Sequence, residues 1–469
     1  MKTFAASLLL LIAVGCLCPK CVDAHVYAYT PNEGSGTVSV IDTETDLVVA
    51  TIPVGSAPIR EAITPDNTKL YVSNGGANTV SVIDLKQNKV IATVVVGQSP
   101  QEIAVTPDGR EVIVCNRGSN SVSIIDVATD TVVGTVDIGC SPVAVRITAD
   151  NRFAYIGTGL RTDVELCTEI AVIDVATHTL LQIITTGNVP GRLHLSRDGQ
   201  RVYVANVLGA SVSAVDIASQ TVITNIPSGD WPRGMDDTLD GSRLFCTFVN
   251  SAAVGAIDET SNALIATIPT GTRPWSVLVT LDGAWAYVSN SRGTGNTLVI
   301  VDTTLLTVAK TLTIGNGSFW LASTPSGSKV YISNPPDGTL TAIDTLTQTV
   351  VATIKVGRDP WVVLAADVDV EPPPPPPPGP AITSVEPTTI VRGSTTAMTV
   401  QGSGFVSGCT ASITPANRAP RVNSVQFGDA NTLTLSVTAN RSAPRRAWNL
   451  TIRNPDGQSA TLPNAFTTQ

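Results

Sequence analysis

Residues 58–97 read PIREAITPDNTKLYVSNGGANTVSVIDLKQNKVIATVVVG, and this stretch decides the fold because variants of it recur along most of the chain. An aspartate that follows Ile or Val marks each copy, at intervals of 42, 42, 48, 42, 42, 44 and 42 residues. These aspartates are Asp42, Asp84, Asp126, Asp174, Asp216, Asp258, Asp302 and Asp344. A period near 40 residues with strand-like patterning predicts a solenoid or a propeller.

Each copy divides into four strand-like runs. In the quoted copy we predict strands over residues 59–64, 69–73, 79–83 and 89–96. The Pro-Asp-Asn between the first two runs is typical of a tight turn. An aspartate directly after an apolar strand can accept backbone N–H bonds from the next hairpin, so we interpret the eight aspartates as structural. Gly97 is expected to supply the backbone angles that lead to the next copy.

The copies are complete in the middle of the chain and partial at its ends. Residues 29–55 match the last three strands of a copy, and residues 360–366 match only a first strand. A blade shared between the two ends closes a ring and removes its exposed edges. We therefore predict an all-β fold with an eight-bladed β-propeller, and a seven-bladed one if the end fragments do not pair. Seven whole copies begin at Pro58, Pro100, Pro142, Pro190, Pro232, Pro274 and Ser318.

The motifs YVSN, TVSVID and ATIPVG resemble the YVTN-type propeller repeat of bacterial and archaeal surface and exported proteins. The resemblance covers residues 25–367 and implies four-stranded blades around a central channel. It implies little about activity, because related propellers include binding proteins, lyases, lactonases and haem-carrying reductase domains.

The C-terminal part of the chain has a different pattern. Residues 368–380 hold seven consecutive prolines, which favour an extended, stiff linker. Residues 381–469 carry alternating strands with the turns Gly-Ser-Gly-Phe at 402–405 and Asn-Pro-Asp-Gly at 454–457. These turns resemble an IPT/TIG immunoglobulin-like domain, and the resemblance implies a small β-sandwich.

Residues 1–24 have the features of a secretory signal peptide, with Lys2 before a short apolar core. Cleavage after Ala24 competes with lipidation of Cys16, where Ala-Val-Gly-Cys resembles a degenerate lipobox. We expect an exported protein, extracellular or periplasmic, or a cell-surface lipoprotein if Cys16 carries the lipid. Only the second case predicts contact with a membrane.

Cysteine, histidine and charge limit the function classes. Cys140 and Cys167 are expected on one rim of the propeller, where they form a disulfide or remain two unrelated buried thiols. With only three histidines in the chain, we expect no zinc, haem or other cofactor. The net charge is −9, while residues 381–469 carry seven arginines against three acidic residues. The propeller is therefore strongly acidic, which argues against nucleic acid as a partner.

The first strand of each blade is expected innermost, so its polar side chains are candidates for a ligand site at the channel mouth. The alternative is a solvated channel with compensating ion pairs. Four tryptophans on the same rim could stack on sugars or wedge the blades together. The rim tryptophans are Trp231, Trp275, Trp320 and Trp361. The candidate ligand-binding residues are Arg60, Glu102, Arg146, Arg192, His194, Asp236 and Trp320.

These patterns favour an exported, non-catalytic binding or interaction scaffold, associated with the cell surface or wall through a protein or glycan partner. No catalytic residue is assigned. The alternative is a propeller enzyme of lyase or lactonase type acting at the channel mouth. Such an enzyme needs a compact acid–base or metal set, which Arg192, His194 and Asp236 could supply from neighbouring blades.

Overall fold

The computed structural model describes residues 25–159, 166–291, 296–368, 379–454 and 458–469. The chain is all-β: eight four-stranded antiparallel sheets form propeller blades, followed by a C-terminal β region with a curled, half-barrel sheet. Two compact units span residues 1–370 and 371–469. The proposed signal peptide and the proline run lie outside the described residues. Within the part of the chain that is described, no helix is long and apolar enough to cross a membrane.

Seven blades are formed by consecutive strands, numbered here along the chain. Blades 1 to 3 contain β4 (Pro58–Ile63), β5 (Lys69–Asn74), β6 (Thr79–Asp84), β7 (Lys89–Val95), β8 (Pro100–Val105), β9 (Glu111–Asn116), β10 (Ser121–Asp126), β11 (Thr131–Asp137), β12 (Pro142–Ile147), β13 (Phe153–Thr158), β14 (Glu169–Asp174) and β15 (Thr179–Thr185). Blades 4 and 5 contain β16 (Pro190–Leu195), β17 (Arg201–Asn206), β18 (Ser211–Asp216), β19 (Thr221–Pro227), β20 (Pro232–Asp237), β21 (Arg243–Phe248), β22 (Ala253–Asp258) and β23 (Ala263–Pro269). Blades 6 and 7 contain β24 (Pro274–Val279), β25 (Trp285–Asn290), β26 (Thr297–Asp302), β27 (Thr307–Thr313), β28 (Leu321–Ser323), β29 (Lys329–Asn334), β30 (Thr339–Asp344) and β31 (Thr349–Lys355).

The eighth blade joins the two ends of the repeat region, as predicted. Its strands are β1 (His25–Asn32), β2 (Thr37–Asp42), β3 (Leu47–Pro53) and β32 (Leu364–Val368). β1 and β32 pair antiparallel, with Ala28 opposite Ala365. The strand predicted at 360–366 begins only at Leu364. It starts later because Pro360 makes only an isolated bridge to Asn32 and the carbonyl of Val362 accepts a hydrogen bond from the Thr30 hydroxyl. The eight-bladed prediction is confirmed and the seven-bladed alternative is not needed.

The first strands form the inner ring of the propeller. Each contacts the first strands of the neighbouring blades, and β32 completes the circle between β28 and β4. The fourth strands lie at the outside, where apolar side chains such as Leu47 and Ile91 are exposed. Loops that follow second strands are hydrogen-bonded to the residue that precedes the first strand, as in Gly75 N–H to Ala57 O at 2.8 Å. Both kinds of loop therefore lie on one face of the ring.

Neighbouring blades pack through aliphatic side chains from their facing sheets. Tyr71 and Val82 of blade 1, for example, share a buried cluster with Ile103 and Val112 of blade 2, and burial of each large apolar side chain stabilises the fold by about 1.5–3 kcal/mol. Polar ties add to this packing. The Tyr71 hydroxyl donates to Asp130 Oδ1 at 2.6 Å across the same interface.

The repeat aspartates act as the sequence predicts. Each of the eight accepts a backbone N–H bond from the following hairpin, as Asp126 Oδ1 does from Thr129 at 2.8 Å. The reason expected for Gly97 was wrong. Its φ is not positive; instead, a Cβ there would lie 2.6 Å from Cγ of Asn116, whose amide binds the next strand. The glycine is required for close approach between a blade and its neighbour.

The C-terminal unit has two four-stranded sheets that share one buried cluster. Asn454 lies next to the turn at 402–405: its amide donates to Gly404 O at 2.8 Å and its carbonyl accepts from Val406 N at 3.3 Å. Two short 3-10 turns in the propeller, Arg117–Ser119 and Pro335–Asp337, are the helical segments described. The strands of the C-terminal unit are β33 (Ala381–Glu386), β34 (Thr389–Ile390), β35 (Thr395–Ser403), β36 (Thr410–Thr414), β37 (Arg421–Asp429), β38 (Thr432–Thr438), β39 (Ala447–Arg453) and β40 (Ser459–Thr468).

Candidate functional site

Glu102 is the centre of a buried charge cluster in the propeller. Its carboxylate, on β8, is 9% exposed and faces three guanidinium groups. Arg60 Nε lies 3.0 Å from Oε2, Arg192 Nη1 lies 3.3 Å from the same oxygen, and Arg146 Nη1 lies 3.5 Å from Oε1. The three arginines lie on the first strands of three other blades: Arg60 on β4, Arg146 on β12 and Arg192 on β16. Together with Glu102, the ion pairs therefore join four blades.

Trp320 reaches the same cluster from blade 7. The guanidinium carbon of Arg60 is 4.4 Å from the indole centroid, and that of Arg192 is 5.4 Å away, distances at which a cation is attracted to an aromatic face. Blades 4 and 7 are not neighbours in the ring, so their contact is not part of the packing between adjacent blades. It requires side chains to meet at the axis. We call these five residues, Arg60, Glu102, Arg146, Arg192 and Trp320, the axial cluster.

The axial cluster holds more positive than negative charge. Burial alone would raise the pKa of Glu102, but Arg60, Arg192 and Arg146 outweigh it and lower the pKa to about 2. Burial lowers the pKa of Arg192 to about 10 although Glu102 opposes this. Burial also lowers the pKa of Arg233 well below its usual value, with Arg192 and Arg60 adding to the effect. Arg233 is therefore close enough to the axial cluster to feel the charge of its arginines, but no ion pair between Arg233 and Glu102 is seen among the described residues.

The two remaining predicted residues lie together in a second place. His194 is on β16 and Asp236 on β20, and with Asp237 they form a group whose potential ligand atoms all lie within 4.8 Å of one another. We call these three residues the His-Asp cluster. Asp237 is 1% exposed, and its Oδ1 lies 2.8 Å from Arg197 Nε. Beside the cluster, Glu259 is 3% exposed, and burial together with the charge of Asp237 raises the pKa of Glu259 to about 8.

The rim tryptophans contact arginines or other rings across blade boundaries. Trp275 and Phe319 are 5.0 Å apart in an edge-on arrangement, and Phe319 is 4.8 Å from Trp361. The guanidinium of Arg233 lies 3.6 Å over Trp275. These contacts link blades 5, 6, 7 and the closing blade, which is the geometry expected of wedges between blades. All four predicted rim tryptophans are nevertheless only partly buried.

Cys140 and Cys167 are joined by a disulfide with a Cα–Cα distance of 6.4 Å. The bridge connects the loop before β12 with the loop before β14, and Cys167 O accepts a bond from Val189 N at 2.8 Å. Most of the long insertion in this blade, residues 160–165, lies outside the described residues. The remaining described cysteines, Cys115, Cys246 and Cys409, are buried free thiols.

Sequence reasoning did not select Arg233 and Asp237 as site residues. Both lie on β20, whose sequence PRGMDD is the most polar of the first strands. Asp237 follows the selected Asp236 directly, and β20 pairs with β21 through a register shift between Pro232 and Met235, which alternation along the strand does not predict. The consecutive acidic residues were the signal available in the sequence, because an inner strand has little reason to bury two carboxylates without partners.

Comparison with known proteins agrees with this fold. Residues 33–153 match the family model described as YNCE-like beta-propeller. The match covers part of the closing blade, the first two blades and β12 of blade 3. It does not extend to residues 381–469, whose IPT/TIG resemblance stays a prediction. No curated protein of similar sequence was found.

Several solved structures are similar in fold. Kuenenia stuttgartiensis hydrazine synthase is 23% identical with a TM-score of 0.51, over 61% of this chain and 95% of that chain. The dihydro-heme d1 dehydrogenase NirN, in complex with DHE, is 17% identical with a TM-score of 0.63, over 73% of this chain and 75% of that chain. AztD from Citrobacter koseri is 15% identical with a TM-score of 0.56, over 73% of this chain and 98% of that chain. At these identities the likeness shows a propeller fold alone.

Proposed function

We propose that this protein is an exported, non-catalytic binding protein whose propeller holds a small anion bearing carboxylate or phosphate groups at the axial cluster. The observation that carries the proposal is an excess of positive charge at the axis: Arg60, Arg146 and Arg192 all contact a single carboxylate, that of Glu102, and the side chains of Arg60 and Arg192 are each 14% exposed. Charges removed from water are costly unless they are paired. An anion would supply the missing partner.

The chemistry of the arginines supports an oxyanion. Guanidinium groups present planar, forked donors that match carboxylate and phosphate oxygens. Arg233 Nε is buried and has no hydrogen-bond partner among the described residues, so a donor is free in this region. The side chain of Arg146 is 37% exposed, so the cluster remains open to solvent on one side. The rest of the propeller is acidic and repels anions, so anion binding is expected only at the axial cluster.

Export, surface association and the C-terminal domain type are part of the same proposal. The signal-like residues 1–24 and the Cys140–Cys167 disulfide support an oxidising compartment. Two sheets around one core support an immunoglobulin-like sandwich of IPT/TIG type for residues 381–469. Such a domain would hold the propeller at the cell surface or wall through a protein or glycan partner.

The alternative function, a lyase or lactonase acting at the channel, is favoured by one observation. The His-Asp cluster places an imidazole beside two carboxylates, which is the kind of set that acid–base or metal chemistry requires. If the channel binds a lactone or uronate and converts it, this alternative replaces the binding function.

The experiment that tests the binding function is calorimetric titration of the full chain with citrate and with inorganic phosphate. We expect saturable binding that Arg192→Gln weakens at least tenfold, because one charge-assisted hydrogen bond contributes about 1.5–3 kcal/mol. Arg110→Gln is the matched control, since Arg110 is 84% exposed and far from the axis. No binding by the wild-type protein, or equal weakening by both substitutions, would contradict the proposal.

A further inference from the structure

We propose that His194, Asp236 and Asp237 form a binding site for one divalent transition-metal ion, with Zn²⁺ as the best-fitting representative. The site is separate from the axial cluster and does not depend on the proposed anion. It joins β16 of blade 4 with β20 of blade 5, because His194 lies on the first of these strands and the two aspartates on the second.

The geometry of the ligand atoms fits a small cation. One atom from each of the three residues lies within 4.8 Å of the others. A Zn²⁺ ion held at about 2.0–2.2 Å from each ligand needs them about 3.4 Å apart, which a small rotation of the side chains achieves. His194 Nε2 and Asp237 Oδ2 are already 3.3 Å apart.

His194 gives an independent indication of a missing ligand. Its Nε2 atom is buried and makes no hydrogen bond with any described residue, although the carboxylate of Asp237 faces it. A buried polar atom without a partner is costly, and most such atoms in proteins have one. In the tautomer protonated at Nδ1, Nε2 carries the lone pair that a metal ion would use.

The carboxylates are held in place by other groups, as metal ligands usually are. Asp236 Oδ2 accepts the N–H of Val279 at 2.7 Å, and Asp236 Oδ1 accepts the N–H of Asp237 at 3.1 Å. Arg197 holds Asp237 through both its side chain and its backbone N–H. Each carboxylate oxygen keeps a second lone pair, so these bonds orient the ligands without consuming them.

The charge balance favours a cation here, in contrast to the axial cluster. Asp236 and Asp237 bring two carboxylates, while Arg197, which is 38% exposed, forms an ion pair with Asp237 alone. A metal ion would balance this negative region. The sequence analysis expects no zinc because the chain has only three histidines, but a site with one histidine and two carboxylates needs only one of them.

The ligand types select the class of metal. Two carboxylates alone would suit Mg²⁺ or Ca²⁺, which prefer oxygen ligands. The imidazole shifts the preference toward Zn²⁺ and other borderline transition ions. Three protein ligands leave the fourth position of a tetrahedral Zn²⁺ site for water or another ligand.

The test is calorimetric titration of the full chain with Zn²⁺ after treatment with EDTA. His194→Gln and Asp236→Asn are each expected to weaken one equivalent of binding at least tenfold. His178→Gln is the matched control, because His178 Nε2 also lies beside a carboxylate, Glu111 at 2.7 Å, but is not in a group of three ligands. Circular dichroism in EDTA identifies any variant that has lost its fold.

Each outcome decides the proposal. Loss of one equivalent in His194→Gln or Asp236→Asn, with both folded and His178→Gln unchanged, supports the site. If wild-type protein and both folded site variants bind Zn²⁺ equally, the metal is held elsewhere and the proposal is overturned. Absence of a stoichiometric equivalent in the wild-type protein overturns it as well, whether or not anions bind at the axial cluster.

Discussion

Glu102 is the only carboxylate that faces the arginines of the axial cluster at close range among the described residues. We expect Glu102→Gln to lower the free energy of unfolding by about 3–5 kcal/mol in buffer without multivalent anions, because breaking a buried ion pair leaves uncompensated charge. Chemical denaturation measures this change. Glu44→Gln is the control: the side chain of Glu44 is 76% exposed, so a change within about 0.5 kcal/mol is expected. Equal effects of the two substitutions would contradict the buried-charge interpretation.

Glu61 is a second buried carboxyl group, on β4 next to the closing blade, and it predicts a pH dependence of stability. Burial raises the pKa of Glu61 well above its usual value, despite the nearby Arg60. Above about pH 4.3 the unfolded chain releases this proton while the folded protein retains it, so stability falls as pH rises. Glu61→Gln removes this contribution. The unfolding midpoint of Glu61→Gln, relative to that of the wild-type protein, should therefore rise from pH 5 to pH 8.

The control for the pH series is Glu44→Gln, since the side chain of Glu44 is 76% exposed. Its difference from the wild-type protein should stay nearly constant from pH 5 to pH 8. If Glu61→Gln shows the same constant difference, Glu61 is ionised in the folded protein.

Sequence alternation could place single residues near the axis but could not group them. Arg60, Glu102, Arg146, Arg192 and Trp320 do meet in the structure, whereas His194 and Asp236 belong to a second cluster. Distances across the ring depend on how side chains from blades 4 and 7 reach the axis, and no pattern within one strand contains that information. The balance of three arginines against one glutamate is visible only once these contacts are known.

At the level of strands and turns, the repeat aspartates predict a local and additive effect. Asp126→Ala removes the acceptor for the Thr129 N–H bond and should lower the free energy of unfolding by about 1 kcal/mol. Asp126→Asn retains an acceptor oxygen and should lose less. Differential denaturation of the two variants checks this order. A loss in Asp126→Asn equal to that in Asp126→Ala would mean that charge, rather than the turn bond, is what matters.

The strands of a blade could be predicted from sequence to within about one residue, because alternation and turn residues are local signals. The four strands of blade 1 illustrate this. β32 was placed less well, since its start depends on contacts with Thr30 and Asn32 that are more than 300 residues away in sequence. The role of Gly97 was misread for the same reason: the group that excludes a side chain there is Asn116 of the next blade.

The closed ring is the property of the whole molecule that the repeat count predicts. A chain ending at residue 370 keeps β32, whereas one ending at residue 359 loses it and exposes the edge of β1. We expect the shorter chain to lose its cooperative thermal transition or to aggregate, because Ala366 and Val368 leave a cluster that also contains Tyr27 and Tyr29. The longer chain should unfold like the propeller of the full protein. Equal unfolding midpoints for the two chains would show that closure contributes nothing to stability.

Fold and blade number could be predicted for the whole propeller because eight copies of one pattern reinforce each other. Function could not, since the axial cluster is made of residues that depart from the pattern. Arg192 and Trp320 occupy equivalent positions in two copies of the repeat whose patterns otherwise agree. The repeat pattern does not predict what residues that differ between copies would bind.

The measurement that tests anion binding at the axis most directly compares Arg192→Gln with Glu102→Gln. Citrate affinity is measured by calorimetry at about 50 and 300 mM NaCl, at a temperature where each protein is folded. If the anion binds the arginines, Arg192→Gln weakens binding and Glu102→Gln strengthens it, because Glu102 competes for the same guanidinium groups; added salt weakens both. Changes of the same sign in the two variants, or none in either, would contradict the site.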